Sequence, residues 1–128
     1  MRKSISAFHA TTILMLGLTA ALAQSAPATT ADTAKGKALV NAKGMTLYTF
    51  DRDTAGASNC NGQCAINWPP LQAADSAKPS GQWTVITRSD GAKQWAYKGK
   101  PVYAFSKDAK PGDATGEGVN NVWHIAAP

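Results

Sequence analysis

A mostly β fold is predicted, a small antiparallel sheet domain built from two related β-hairpin repeats with long loops. Three observations predict it. The chain repeats itself at an offset of 55 residues: Tyr48, Phe50 and Asp53 recur as Tyr103, Phe105 and Asp108, Trp68 recurs as Trp123, and Lys43-Gly44 recurs as Lys98-Gly99. Short runs rich in aromatic and β-branched residues are broken by Gly-centred turns, which is the signature of strands and hairpins. Two copies are too few for a solenoid, which takes at least three, so the duplicated unit is expected to fold into one domain.

The first 23 residues read as a secretory signal peptide. Arg2 and Lys3 supply the positive start, Ile13 to Ala23 supply the apolar stretch, and Ala21-Leu22-Ala23 fits a small-x-small cleavage site. The apolar run is shorter than the ~20 residues of a membrane span, so no stable membrane span is expected after cleavage. No Cys follows the run, and the first in the chain is Cys60. The usual attachment point for a bacterial N-terminal lipid is therefore missing. Residues 24–35 are small and polar, and are expected to be a flexible linker. Residues 36–128 are expected to form a single β domain, with repeats at about 37–72 and 83–126.

In the first repeat, residues 37–42 and 45–50 should be strands joined at Lys43-Gly44. In the second, 83–88, 93–98 and 101–105 should form a three-strand meander turning at Ser89–Ala92 and at Gly99. Gly takes positive φ at little steric cost, as such turns require. Pro101 begins its strand, where a missing N–H is tolerated. Residues 122–126 should form a last short strand. Side chains alternate faces along a strand, so Tyr48 and Phe50 share one face, and Tyr103 and Phe105 share its counterpart. Leu47 and Val102 point the other way. The expected role of the repeated rings is to anchor each strand in the core. Asp53 and Asp108 lie just past the strand ends, where a carboxylate accepting backbone N–H bonds sets the loop.

These same residues carry a family resemblance. Residues 44–71 and 99–125 resemble the two copies of a bacterial secreted-repeat family, described as predicted lipoproteins with a Y-x-[FWY]-x-x-D motif. Tyr48, Phe50 and Asp53 fill the motif in the first copy, and Tyr103, Phe105 and Asp108 fill it in the second. The resemblance implies an exported protein and a repeated fold, and it implies no reaction.

Four groups of residues are candidates for chemistry. Cys60 and Cys64 are the only cysteines. Export to an oxidising compartment favours a disulfide between them. Soft-metal binding, with Met45 or His124 completing a Cu(I) site, and thiol redox chemistry are the alternatives. His124 is the only histidine after the leader, and a strand histidine without a catalytic role is its ordinary reading. Asp51 and Asp53 open a stretch that begins like a calcium loop, but its fifth and twelfth positions are Ala55 and Gly62, neither of which offers a side-chain oxygen. Trp83 and Trp95 fall on adjacent expected strands. If their face is open, they form a binding patch for a sugar or a peptide.

Composition excludes other classes. The formal net charge is +5, but two of the 13 basic residues sit in the leader and the rest are scattered. Nucleic acid is therefore not an expected partner. No nucleophile elbow or convergent acid/base set is visible, which disfavours an enzyme. The expectation is a periplasmic or secreted, cell-envelope protein without a cofactor, acting as a non-catalytic binding module for an envelope protein or glycan. The alternative is a redox or copper-handling protein using Cys60 and Cys64.

Overall fold

The structure, a computed structural model, describes residues 26–128; the expected signal peptide and the first two residues of the lead-in lie outside the described residues. Seven strands run in order: β1 (Thr29–Thr33), β2 (Gly36–Val40), β3 (Tyr48–Phe50), β4 (Trp83–Thr87), β5 (Lys93–Tyr97), β6 (Lys100–Pro101) and β7 (Trp123–Ile125). One short helix, α1 (Gln63–Asn67), and a 3₁₀ turn at Val119–Asn121 occupy equivalent places in the two halves. The strands form three small antiparallel sheets, β1-β2, β3-β7 and β4-β5-β6.

Residues 29–33 correct the expectation of a flexible linker. They are strand β1, paired along its length with β2 from Thr29↔Val40 to Thr33↔Gly36. Three of the five residues are β-branched Thr, which suits a half-exposed ribbon. The turn is closed by Thr33, whose Oγ1 donates to the Gly36 carbonyl at 2.6 Å and accepts from Lys35 N at 3.1 Å. The composition concealed the strand because it carries no large apolar side chain. The repeat offset pointed to it, since 83–88 shifted back by 55 is 28–33.

The expected hairpins also pair differently. In the first copy only the Val40↔Thr46 bridge and two flanking backbone bonds survive, Asn41 N to Met45 O and Leu47 N to Leu39 O, both 2.9 Å. Beyond that point each strand leaves its own hairpin and pairs with the other repeat. β3 runs against β7, with Tyr48 opposite Ile125 and Phe50 opposite Trp123. Tyr103 bridges Pro70 in the corresponding way. Tyr48 and Tyr103 exchange both backbone bonds, at 2.7 and 2.9 Å, so the two motif tyrosines meet at a pseudo-two-fold axis.

Strand alternation then builds two cores. One face buries Leu47, Val102, Leu39 and Trp83. Trp83 is 6% exposed, lies opposite Tyr97 in the sheet with their rings 4.9 Å apart, and meets the half-buried Trp95 edge to face at 6.2 Å. Its burial removes Trp83 from the open patch expected of it with Trp95.

The other face buries Tyr48, Tyr103, Phe105, Trp68 and Trp123. These five rings and Phe50 are arranged by the pseudo-symmetry. Trp68 and Trp123 lie face to face at 3.8 Å with planes 2° apart, Phe105 caps Trp68 at 3.9 Å, and Phe50 caps Trp123 at 4.3 Å. Each Phe therefore stacks on the Trp of the other copy. Each Tyr meets the Trp of its own copy edge-on, at 5.4 and 5.2 Å. Burying each ring contributes about 2–3 kcal/mol, and aromatic pairing adds about 0.5–1.5 kcal/mol per contact.

Gly116 allows this packing. A Cβ there would sit 2.8 Å from Trp68 Cη2 and Cζ3 and from Tyr48 Cε1. All three atoms belong to rings locked in the core, so none can yield cheaply. Gly116→Ala is expected to cost about 2–3 kcal/mol by overpacking, read as a lowered midpoint in urea unfolding with the slope unchanged.

Candidate functional site

The repeated motif is consumed by contacts between the two copies. Tyr48 Oη donates to Asp108 Oδ2 at 2.6 Å, and Tyr103 Oη donates to Asp53 Oδ2 at 2.6 Å. Each tyrosine thus bonds the aspartate of the other copy. The second oxygen of each carboxylate ties its own loop. Asp53 Oδ1 accepts from Asn59 N at 2.7 Å, and Asp108 Oδ1 accepts from Thr115 N and Oγ1 at 3.0 and 2.6 Å. Burial, reinforced by the partner carboxylate, holds both phenols well above their usual range. Burial also raises Asp53, against the opposing pull of the Asn59 and Tyr103 bonds and the Arg88 charge.

The phenol shifts set a pH dependence. A group whose folded pKa is raised contributes stability that is fully present below its unfolded pKa, here 10.0, and lost as pH rises above it. The protein is expected to unfold in alkali beyond pH 10. Phenolate absorbance from Tyr48 and Tyr103 should appear together with the loss of circular dichroism. Ionisation of these two groups in a folded protein would contradict it.

Around Tyr103 both copies contribute to a network that has no counterpart around Tyr48. Ser58 Oγ lies 2.6 Å from Tyr103 Oη and accepts from Arg88 Nη1 at 2.9 Å. Arg88 is 5% exposed and also donates to Gln94 Oε1 at 2.7 Å and to the Cys60 carbonyl. The guanidinium faces no carboxylate within ion-pair distance among the described residues. Asp53 balances it through the Ser58–Tyr103 relay. Among the described residues no buried side-chain polar atom lacks a partner.

Cys60 and Cys64 form a disulfide with their Cα atoms 5.2 Å apart, and Arg88 fixes the same loop from inside. In this oxidised state neither sulfur is a free thiolate. His124 turns elsewhere. Its Nε2 lies 2.8 Å from Asp51 Oδ2, and its Nδ1 lies 3.5 Å from Glu117 Oε2. No group of three or more His, Cys, Asp or Glu side chains is placed to share a metal ion among the described residues.

His124 belongs to an open polar cleft. It lies directly opposite Thr49 in the β3–β7 ribbon, and both sit on the face away from the stacked rings. Asp51 follows β3 and is held by its N–H to the Val122 carbonyl at 2.8 Å. Lys98 and Lys100 enter from the β5–β6 turn. The cleft occupies about 390 Å³, continues into an adjoining hollow of about 220 Å³ lined by Asp53 and Thr54, and is walled at its far end by Ala127 and Pro128. A second groove of about 590 Å³ lies at the equivalent place in the other copy, lined by Pro69, Pro70, Leu71 and Trp95.

Both halves match the family described as a secreted repeat of unknown function, over residues 29–72 and 84–127. The chain belongs to this secreted-repeat family. No curated protein and no solved structure gives a significant match. Among the described residues, no helix of the secreted-repeat protein is long and apolar enough to cross a membrane.

The duplication of the secreted-repeat protein lets one copy serve as a control for the other. Where the polar cleft has Thr49, Asp51, Lys100 and His124, the same offset in the twin gives Ala104, Ser106, Met45 and Pro69. The scaffold therefore does not require the polar set. Sequence reasoning singled out His124 and Asp51, and missed Thr49, Lys98 and Lys100 as cleft residues. Comparing the copies for what differs, rather than for what recurs, was the signal that would have found Thr49 and Lys100; Lys98 recurs as Lys43 and carries no such signal.

Proposed function

We propose that this exported secreted-repeat protein is a non-catalytic binding module, and that its ligand face is the cleft over β3 and β7. The observation that carries the reading is the asymmetry of the twin clefts. Residues that recur in both copies build the half-to-half junction, whereas Asp51, Lys100 and His124 occur in one copy only and line an open recess. A concave site with a few convergent polar groups is the ordinary form of a ligand pocket. The groups that look most chemical, the Tyr–Asp pairs, are spent on each other and offer no free acid or base. Envelope glycans and envelope proteins are the partner classes in keeping with export.

The test is amide chemical-shift mapping of the mature, disulfide-bonded protein against a panel of envelope polysaccharide fragments and peptides. Shifts centred on Thr49, Asp51, Lys98, Lys100 and His124 are expected for at least one member. Shifts confined to the Pro69–Gln72 groove would move the ligand face to the other copy and overturn the assignment.

A further inference from the structure

The charges of the polar cleft point to a narrower ligand. Resting on the reading of this cleft as the binding face, we infer that it takes an acidic saccharide, a sugar bearing a ring carboxylate. Asp51 is engaged by His124, whose other nitrogen faces Glu117. Lys98 and Lys100 are exposed and make no ion pair among the described residues. The uncommitted side-chain charges at the cleft are therefore two ammonium groups, which suit a carboxylate through charge-assisted bonds. The remaining lining suits a sugar ring. Thr49, Asp51 and His124 present hydroxyl, carboxylate and imidazole groups to ring hydroxyls, and Ile125 and Ala126 offer an apolar surface to the ring's C–H face.

The backbone at Lys98 adds an independent observation. Lys98 and Gly99 have φ of +50° and +81°, a two-residue hairpin turn with both central residues left-handed. Asn, Asp or Gly is the relaxed choice at the first of these positions. Lysine there is strained, and strain of this kind gathers at ligand sites. In the twin hairpin Lys43 is not left-handed, because Asn41 Oδ1 accepts from both Lys43 N and Met45 N at 3.0 Å and forms a longer turn. The Lys98 ammonium lies 5.2 Å from the centre of the Tyr97 ring beneath it, at the mouth of the cleft.

The experiment titrates the full mature protein with tri-galacturonate, with maltotriose as the neutral sugar and inorganic phosphate as the bare anion, followed by amide shifts. Tri-galacturonate is expected to shift Thr49, Lys98, Lys100 and His124 and to bind about tenfold or more tightly than maltotriose. Raising the salt should weaken it, because exposed ion pairs are screened. The variant Lys98→Asn/Lys100→Gln removes both charges and relaxes the turn, so its fold is not at risk. It should lose about tenfold or more in affinity for tri-galacturonate, while Lys78→Gln, at an exposed position between the two repeats, should lose none. Undiminished binding in the double variant, or shifts outside the cleft, would overturn the role of the lysines. Equal affinity for both sugars, or phosphate competing as well as the acidic sugar, would overturn the ligand class and leave the cleft as a binding face. No shift by tri-galacturonate at millimolar concentration, with cleft shifts by a peptide, would do the same.

Discussion

Trp68→Ala is expected to cost about 3–5 kcal/mol, the range for removing a buried aromatic side chain. Trp68 is 5% exposed, sandwiched between Trp123 and Phe105 and edge-on to Tyr48. Its removal strips a stacking partner from two rings of the second copy at once, so the loss falls on the junction between halves. At about 4–8 °C per kcal/mol for a domain of this size, the melting temperature should fall by at least about 12 °C. A calorimetric scan reads it directly. Trp123→Ala should cost a similar amount, because the pseudo-two-fold gives Trp123 the mirrored surroundings, with Phe50 on its outer face and Tyr103 at its edge. A fall of only a few degrees in either variant would mean that the column is not the main tie between the copies.

Asp108→Ala is expected to be the next most damaging single change, at about 3 kcal/mol. Asp108 is 8% exposed and accepts three hydrogen bonds, from the Tyr48 hydroxyl and from the backbone and side chain of Thr115. Truncation leaves buried donors without an acceptor, and that desolvation sets the cost. The mirrored change Asp53→Ala should cost roughly half as much, for two reasons. Asp53 is only half-buried and carries a desolvation cost of its own. Tyr103 also keeps Ser58 as a partner. Urea unfolding of the two variants measures the difference. Equal effects would show that the Ser58–Arg88 network gives Tyr103 no reserve. Combining Asp108→Ala with Tyr48→Phe should recover part of the loss, because the orphaned hydroxyl goes with it.

The repeat, the strand periodicity and the burial of the motif rings were legible in the sequence. So was the pairing of Cys60 with Cys64, since two cysteines in an exported chain have few other partners. Strand β1 was hidden by its own composition and visible only through the repeat offset. The partner of each motif residue was not legible. Alternation places Tyr48 and Phe50 on one face of a strand, yet it does not say which copy supplies the ring or the carboxylate on the far side. The carboxylates were expected to set loops, and they do so with one oxygen. The other oxygen crosses to the opposite copy, which no local pattern records. Trp83 failed as a patch residue for the same reason, because what covers an aromatic on a strand depends on a distant segment.

The amino-acid sequence by itself determined that this is a duplicated, mostly β secreted-repeat domain with a short disulfide loop, because repeat, strand and cysteine signals are local properties of the chain. The tertiary structure alone decided that the copies exchange their strands, rings and hydrogen bonds across a pseudo-two-fold axis. That exchange also decided which polar side chains are spent in the junction and which, at Thr49, Asp51, Lys98, Lys100 and His124, remain together in an open cleft. Proximity of residues more than 40 positions apart is set by packing, and packing is a property of the whole fold.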